Sequence, residues 1–185
     1  MAPRPLPPAE YLRECFLYDP KTGSFTWRHR PETHFDTARV AFLWNAKWAG
    51  KPAFTHVERN GGYLKSEVVF ETSRYRMRAS RVAWKLMTGS EPGEMIDHKN
   101  RKTADNRWRN LRAADGSMNQ ANTRKKKGKR LPKGVHAAGT VGRFCAKGYS
   151  ETGRKLHLGT FGSVAEARAA YIAHSRARYG EYFRP

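Results

Sequence analysis

The sequence predicts a mixed α+β protein in four stretches: a β-rich N-terminal region, a strand–loop–strand–helix centre, a basic linker, and a C-terminal unit of antiparallel strands followed by one helix. Three observations lead there. Short β-type runs broken by glycine and asparagine turns fill much of residues 16–78. A polar, asparagine-rich segment, "EMIDHKNRKTADNRWRNLRAADGSMNQANTR", occupies Glu94–Arg124. A run of cations then separates this segment from a final stretch that carries its own strand and helix signals.

In chain order, residues 1–10 are proline-rich and expected to be loosely ordered. "EYLRECFLYDPKTGSFTWR" reads as a short helix, a Pro-Lys-Thr-Gly turn and a strand. "KPAFTHVER" and "YLKSEVVF" flank Asn60-Gly61-Gly62, a tight-hairpin signal because Asn and Gly tolerate positive φ. A second turn at Glu71-Thr72-Ser73 leads into "RYRMRA". In "SRVAWKLMTG" the residues Val82, Ala83, Leu86 and Met87 form a helical apolar stripe, and Gly89 suits the position after the helix end.

Beyond Asn122, "TRKKKGKRLPKG" has almost nothing apolar and reads as a solvated linker; Lys125, Lys126 and Lys127 are its candidates for lying along phosphates. "GRFCAKGYS", the turn Glu151-Thr152-Gly153 and "RKLHLGTF" suggest two or three antiparallel strands. The helix "SVAEARAAYIAHSRARYG" follows, with a capping box at Ser163 and Glu166, a packing face of Ala167, Ala170, Tyr171 and His174, and a stop at Gly180.

Thirty-six Lys and Arg against sixteen Asp and Glu leave a net charge of +20, which points to a polyanion, DNA or RNA before an anionic membrane. No run approaches the ~18 apolar residues of a spanning helix, and "MAPRPLPPAEYL" has no apolar signal core, so an intracellular, unprocessed chain is expected. Two distant cysteines, Cys15 and Cys145, are too few for a structural zinc site or a disulfide framework, so a metal would be held by oxygen or imidazole.

The central segment has the residue types that phosphodiester hydrolysis needs. His98 can take a proton from water near neutral pH, its unperturbed pKa being about 6.5. Mg²⁺ prefers oxygen ligands and often takes only one or two from protein; Asp97 and an amide oxygen from a nearby Asn are candidates. Neighbours on a regular strand point to opposite faces, so Asp97 and His98 either flank a phosphate from two sides or sit where the strand ends.

Asp97-His98, Asp105-Asn106-Arg107, Asn110-Leu111, and Asn119 with Asn122, in that order, resemble the HNH nucleases of the phage and homing type, with their ββα-metal core. The resemblance implies His98 as general base, Asp97 and Asn119 as ligands of one divalent metal (Mg²⁺, with Mn²⁺ as alternative), and Asn110 as the residue bracing the loop. Asn122, one turn from Asn119, is the fallback ligand. Asp105 and Asn106 read as turn formers, Trp108 as packing, and Arg107 as a phosphate contact. Relatives often carry Gly-Asp where this chain has Arg101-Lys102, which adds positive charge beside the site.

"LGTF", "EARAAY" and "GEY", within about 131–185, resemble the DNA-binding domain of plant ethylene-response, Apetala-type factors. That resemblance implies a three-stranded sheet entering the major groove. His136, Arg143, Lys155 and His157 correspond to its contact positions, and Arg143 and Lys155 are the donors to base edges or phosphates.

The sequence thus predicts an N-terminal region (1–49), an HNH nuclease domain (50–123, core about 94–123), a linker (124–133) and an Apetala-type domain (134–185). The expected partner is double-stranded DNA, with Arg101, Lys102 and Arg107 beside the site. The expected chain is a monomer or homodimer, without membrane or structural zinc, in the cytoplasm of an infected or host bacterial cell. The alternative reading is a sequence-specific DNA-binding regulator with an inactive nuclease core.

Overall fold

A computed structural model describes residues 4–123 and 128–185 of the chain. Two compact units result, the first reaching Asp115 and the second starting at Gly116. Lys125, Lys126 and Lys127 lie outside the described residues.

In the first unit, Pro8 precedes helix α1 (Ala9–Cys15), where its missing N–H is no loss, and its carbonyl accepts from Leu12 N at 3.1 Å. The helix buries Leu12 and Cys15 and runs into a hairpin of β1 (Phe16–Tyr18) and β2 (Phe25–Trp27). The turn of that hairpin is shaped by Asp19, whose carboxylate accepts from Lys21 N (2.8 Å) and Thr22 Oγ1 (2.7 Å). Gly23 completes it at φ +77°.

The β-type runs expected over residues 16–78 are present as strands, but the N-terminal stretch also holds a helix that the sequence pattern does not reveal. Up to residue 49 the described chain holds this one short hairpin and two α-helices, the second being α2 (Ala38–Trp48). No apolar stripe marks α2 in the sequence, because Val40, Phe42, Leu43 and Trp48 are exposed while Ala41 and Asn45 are buried. Its N-terminus is capped by Thr37, whose Oγ1 accepts from Val40 N at 3.2 Å. Its anchor is polar: Asn45 accepts from Arg30 N and donates to Arg30 O, both at 2.9 Å and buried.

Strands β3 (His56–Val57), β4 (Leu64–Phe70) and β5 (Ser73–Arg78) form an antiparallel sheet in that order. Positive φ at Gly61 and Gly62 makes the first turn and at Glu71 the second. Helix α3 (Ala79–Thr88) ends on Gly89 in the left-handed conformation. Val82 and Ala83 are fully buried and Leu86 half-buried, but Met87, expected on the same stripe, is exposed and Ala79 fills the core instead. Strands β6 (Met95–His98) and β7 (Leu111–Ala114) pair antiparallel, with Ile96 and Leu111 reaching the core of Leu12, Phe16, Phe25, Val68 and Val82.

The second unit begins with α4 (Gly116–Asn122). Lys133 Nζ donates to the carbonyls of Gln120 (2.8 Å), Ala121 (2.9 Å) and Thr123 (3.1 Å), placing a cation at the negative end of that helix. Strands β8 (Val135–Ala137), β9 (Phe144–Tyr149) and β10 (Lys155–Phe161) form an antiparallel sheet with β9 central and a bulge between His157 and Gly159. Helix α5 (Val164–Tyr179) packs on it. Ser163 Oγ accepts from Glu166 N, while Glu166 reaches back to Gly162 N, both at 3.2 Å. Gly134 and Gly148 permit the close packing, since a Cβ on either would overlap Tyr171 or His174 of the helix. Val135, Ala146 and Ala167 are the buried centre. No helix among the described residues is long and apolar enough to cross a membrane.

Replacing Asn45 by Ala orphans a buried N–H and a buried carbonyl on Arg30, so Asn45→Ala should lower the unfolding free energy by about 2–4 kcal/mol, read from urea denaturation. A midpoint unchanged from wild type would show that α2 is held by its aromatic contacts alone.

Candidate active site

Asp97 and His98 are the last residues of β6, where alternation sends their side chains to different partners. Asp97 lies opposite Arg112 in the β6–β7 register. Arg112 Nε donates to Asp97 Oδ2 at 2.8 Å and Nη2 lies 2.7 Å from the same oxygen, in an ion pair almost wholly removed from water. Removing one member of such a pair leaves a buried charge and destabilises by about 3–5 kcal/mol.

His98, 3% exposed, has its Nε2 3.2 Å from Asn106 Oδ1. The Tyr63 ring stands 5.9 Å from the imidazole, and Arg78 covers that ring at 4.1 Å. Burial pushes the His98 pKa below its usual 6.5, outweighing the opposing pull of Asn106, Asp97 and Asp105. At neutral pH the ring is therefore uncharged and able to accept a proton.

The chain between β6 and β7 has little regular structure, so side chains satisfy its backbone. Asn110, buried in the 3₁₀ turn Trp108–Asn110, accepts from Asn100 N at 3.0 Å through Oδ1. Its Nδ2 donates to Asp105 O (2.7 Å) and Asn100 Oδ1 (3.1 Å), and its own carbonyl accepts from Lys99 N (2.9 Å). Asn100 extends the clasp, accepting from Lys102 N at 2.9 Å and donating to Asp105 Oδ2 at 2.7 Å. One asparagine amide both donates and accepts, which suits it to closing a loop.

Arg101 sits at φ +63°, with its N–H donating to His98 O at 2.8 Å. The loop thus takes the left-handed conformation that glycine adopts freely, although this chain places arginine there.

Two hairpins hold the loop from outside. Tyr18 donates to Asn106 O (2.7 Å), and Trp108 N donates to Pro20 O (3.0 Å). A Cβ on Gly23 would stand 2.5 Å from the Asn106 carbonyl carbon, so the β1–β2 turn lies directly on the loop backbone. Thr103 donates to Gly61 O in the β3–β4 turn.

Of the residues expected at the site, Asp97, His98 and Asn110 stand in this one hairpin and its loop. Asn119, half-buried, and Asn122, buried, belong to α4 in the second unit. Arg101 and Lys102 are exposed on the loop, while Arg107 Nε lies 3.2 Å from Asp105 Oδ1. Arg143 is exposed just before β9, and Lys155 is exposed at the start of β10. Sequence reasoning missed Arg112, Asn100, Tyr18, Tyr63 and Gly23. Only Arg112 carried a usable signal, an opposite charge that becomes a cross-strand pair once the register is known.

Among the described residues no three His, Cys, Asp or Glu side chains cluster to hold an ion. The candidate donors are instead one carboxylate and asparagine amides, oxygen ligands of the type that Mg²⁺ and Mn²⁺ accept.

Two substitutions test how the loop is held. Arg101→Gly should raise the unfolding free energy by about 1 kcal/mol by relieving the left-handed arginine. Gly23→Ala should lower it by about 2 kcal/mol or more, since the methyl meets backbone rather than a movable side chain. Equal stability of both variants in denaturant titration would contradict this arrangement.

The family model for HNH endonuclease matches residues 78–121, from the end of β5 through α3, β6, the loop and β7 into α4. The match supports an HNH nuclease, a family that acts on DNA and generally uses a divalent metal ion. No curated protein and no solved structure matches the chain.

Proposed function

We propose that this protein is a metal-dependent DNA endonuclease of the phage or homing HNH type, with a ββα-metal core and His98 as general base. The observation that carries this reading is the buried His98 beside Asp97 on a side-chain-braced loop inside the HNH match. Asp97 and Asn119 would hold the ion, with Asn122 as the alternative to Asn119. Mg²⁺ or Mn²⁺ bound there would offset charge on the scissile phosphate and the leaving oxygen.

The protein's own groups do the rest. Arg112 fixes the orientation of the Asp97 carboxylate. Asn110 keeps the loop closed so that His98 and Asp97 hold their places. The neutral imidazole takes the proton of the attacking water. Arg101 and Lys102 add cations at the mouth of the loop, and Arg107 can exchange Asp105 for a phosphate.

The C-terminal unit serves as a tethered DNA reader of the Apetala type. His136, Lys147, Lys155 and His157 are exposed on the sheet. His136 has its pKa lowered by burial first and then by Lys147, Lys129 and Lys155, which shows how closely the cations gather. Arg143 stands in the turn beside them. A second DNA-binding module on one chain raises the effective concentration of the catalytic unit at its target.

The decisive assay is supercoiled plasmid with Mg²⁺ or Mn²⁺, with and without chelator. Wild type should relax or linearise it, chelator should stop cleavage, and His98→Ala should lose about 10²–10⁴-fold in rate. Intact plasmid under every metal, with DNA still shifted in gels, would favour the regulator reading. Because the His98 pKa is lowered, the base stays competent through neutral pH; the rate should fall only as pH drops below 6.5. An acid limb above 6.5 would remove His98 from that role.

Lys155→Ala and Arg143→Ala should each weaken DNA binding and reduce the slope of log K against log salt by about 1, if each cation neutralises one phosphate. Unchanged slopes would separate this face from DNA.

A further inference from the structure

We infer that the first unit carries a second nucleic-acid site, a cavity that takes one unpaired base of a DNA strand, stacked on Trp48 and hydrogen-bonded by Arg30. Its test does not depend on cleavage.

The cavity has a volume of about 840 Å³ and is lined from α2, from strands β3, β4 and β5, and from the chain between β2 and α2. That size falls in the range of about 300–1,000 Å³ typical of small-molecule sites. None of its lining residues belongs to the loop of the candidate active site.

Arg30 is the unusual member of the lining. It is 5% exposed, yet no carboxylate pairs with it among the described residues. Its Nε donates to His34 Nδ1 at 3.2 Å and its Nη2 to Tyr11 Oη at 2.7 Å. The guanidinium carbon stands 4.7 Å from the centre of the Phe35 ring and 5.0 Å from that of Trp44. Glu14 is joined to it only through the His34 ring, whose Nε2 lies 2.7 Å from Glu14 Oε2. These contacts fix the fork, while Nη1 has no hydrogen-bond partner among the described residues. A guanidinium never gives up its charge, so a buried one calls for an acceptor in the cavity beside it.

The walls say what kind of acceptor. Trp27 and Trp44 pack edge to face with ring centres 5.0 Å apart. Trp48 also lines the cavity, 39% exposed, with Lys47 Nζ 5.1 Å from its ring. A planar group that stacks on indole and accepts from a guanidinium is a nucleobase, with two apolar faces and an edge of carbonyl and ring-nitrogen acceptors. An apolar side chain in the same place would cover Arg30 without offering it an acceptor. A bare phosphate would satisfy Arg30 and leave the indole uncovered.

The remaining charges fit a nucleic-acid strand. Lys65 and Arg76 line the cavity, and the carboxylate of Glu67 is already paired with Arg74 and Arg76. Asp36 lines it too, exposed, and offers an acceptor to a base amino group. In a duplex the faces of each base are covered by its neighbours, so only an unpaired or extruded base can enter. The β3–β4 hairpin connects this cavity with the candidate active site: Lys65 and Ser66 line the cavity, and the ring of Tyr63, just before β4, stands 5.9 Å from His98.

The test uses the full chain with ¹⁵N-labelled tryptophan, in chelator so that no strand is cut. The five indole N–H signals are assigned by their loss in single Trp→Phe variants. A single-stranded oligonucleotide of about eight residues should shift Trp48 and Trp44, whereas the same sequence as a duplex, or with abasic sites throughout, should leave both in place. Equal shifts with duplex or abasic strand would overturn the proposal, as would equal shifts with free mononucleotide at the same concentration. Signals that follow protein concentration and ignore the oligonucleotide would assign this face to a second copy of the chain and overturn it too.

In fluorescence anisotropy, Trp48→Ala should weaken single-strand binding about 5–150-fold and leave duplex binding within about twofold, with Trp48→Phe restoring most of the loss. Arg30→Lys, which keeps the charge without the fork, should show the same selective loss. Equal losses on single strand and duplex would reduce both residues to general supports; if Arg30→Lys does not fold, the two Trp48 variants decide. Wild type that binds single strands in this way and never cuts plasmid would sink the nuclease reading and leave this site standing. Wild type that cuts plasmid with Trp48 unmoved by single strands would do the opposite.

Discussion

Everything at the candidate site depends on the Asn110 amide closing the chain between β6 and β7. That segment leaves the sheet at His98 and returns at Leu111 with little regular structure to satisfy its backbone. Buried peptide groups left without partners would favour an open, hydrated loop. By joining Asn100, Asp105 and the return strand, one side chain turns the excursion into a fixed shape. His98 and Asp97 sit at its base, so their positions follow from it.

The closure is reinforced from elements distant in sequence. The β1–β2 turn meets the loop through Tyr18, Pro20 and Gly23, and the β3–β4 turn meets it at Gly61. The β1–β2 hairpin also supplies Phe16, Phe25 and Trp27 to the aromatic core of the first unit, where Phe16 and Phe25 pack against Phe54, just ahead of β3. The apolar core and the polar loop are thus coupled: the strands that bury the aromatics end in the turns that hold the site. The N-terminal region is in this sense part of the support of the matched segment, although the family match begins only at residue 78.

Arg112 and Arg101 show two uses of positive charge in a strongly basic chain. Arg112 is spent inside the protein, its guanidinium closing on Asp97 away from water. Arg101 is exposed, held in a backbone conformation that glycine would adopt without strain. The left-handed turn at Arg101 is flanked by the hydrogen bond from its N–H to His98 O and by the Asn100 clasp, which favour it.

By itself the sequence determined the hairpins whose turns need asparagine or glycine, the left-handed stop of α3 at Gly89, the cap of α5 at Ser163, and the order of the Asp-His, Asn-Leu and Asn-x-x-Asn elements. These are local facts, set by φ preferences and by side chains that bond within a few residues. It did not determine α2, several of whose large apolar residues face outward while Trp44 packs on Trp27 and the buried Asn45 bonds the backbone of Arg30. Nor did it show that Met87 would face water, that Arg112 would take Asp97, or that Asn106 would face His98 instead of merely shaping a turn. Those outcomes depend on strand register and on which loops stack, and contacts between residues far apart in sequence leave no periodicity to detect; only the tertiary structure decided them.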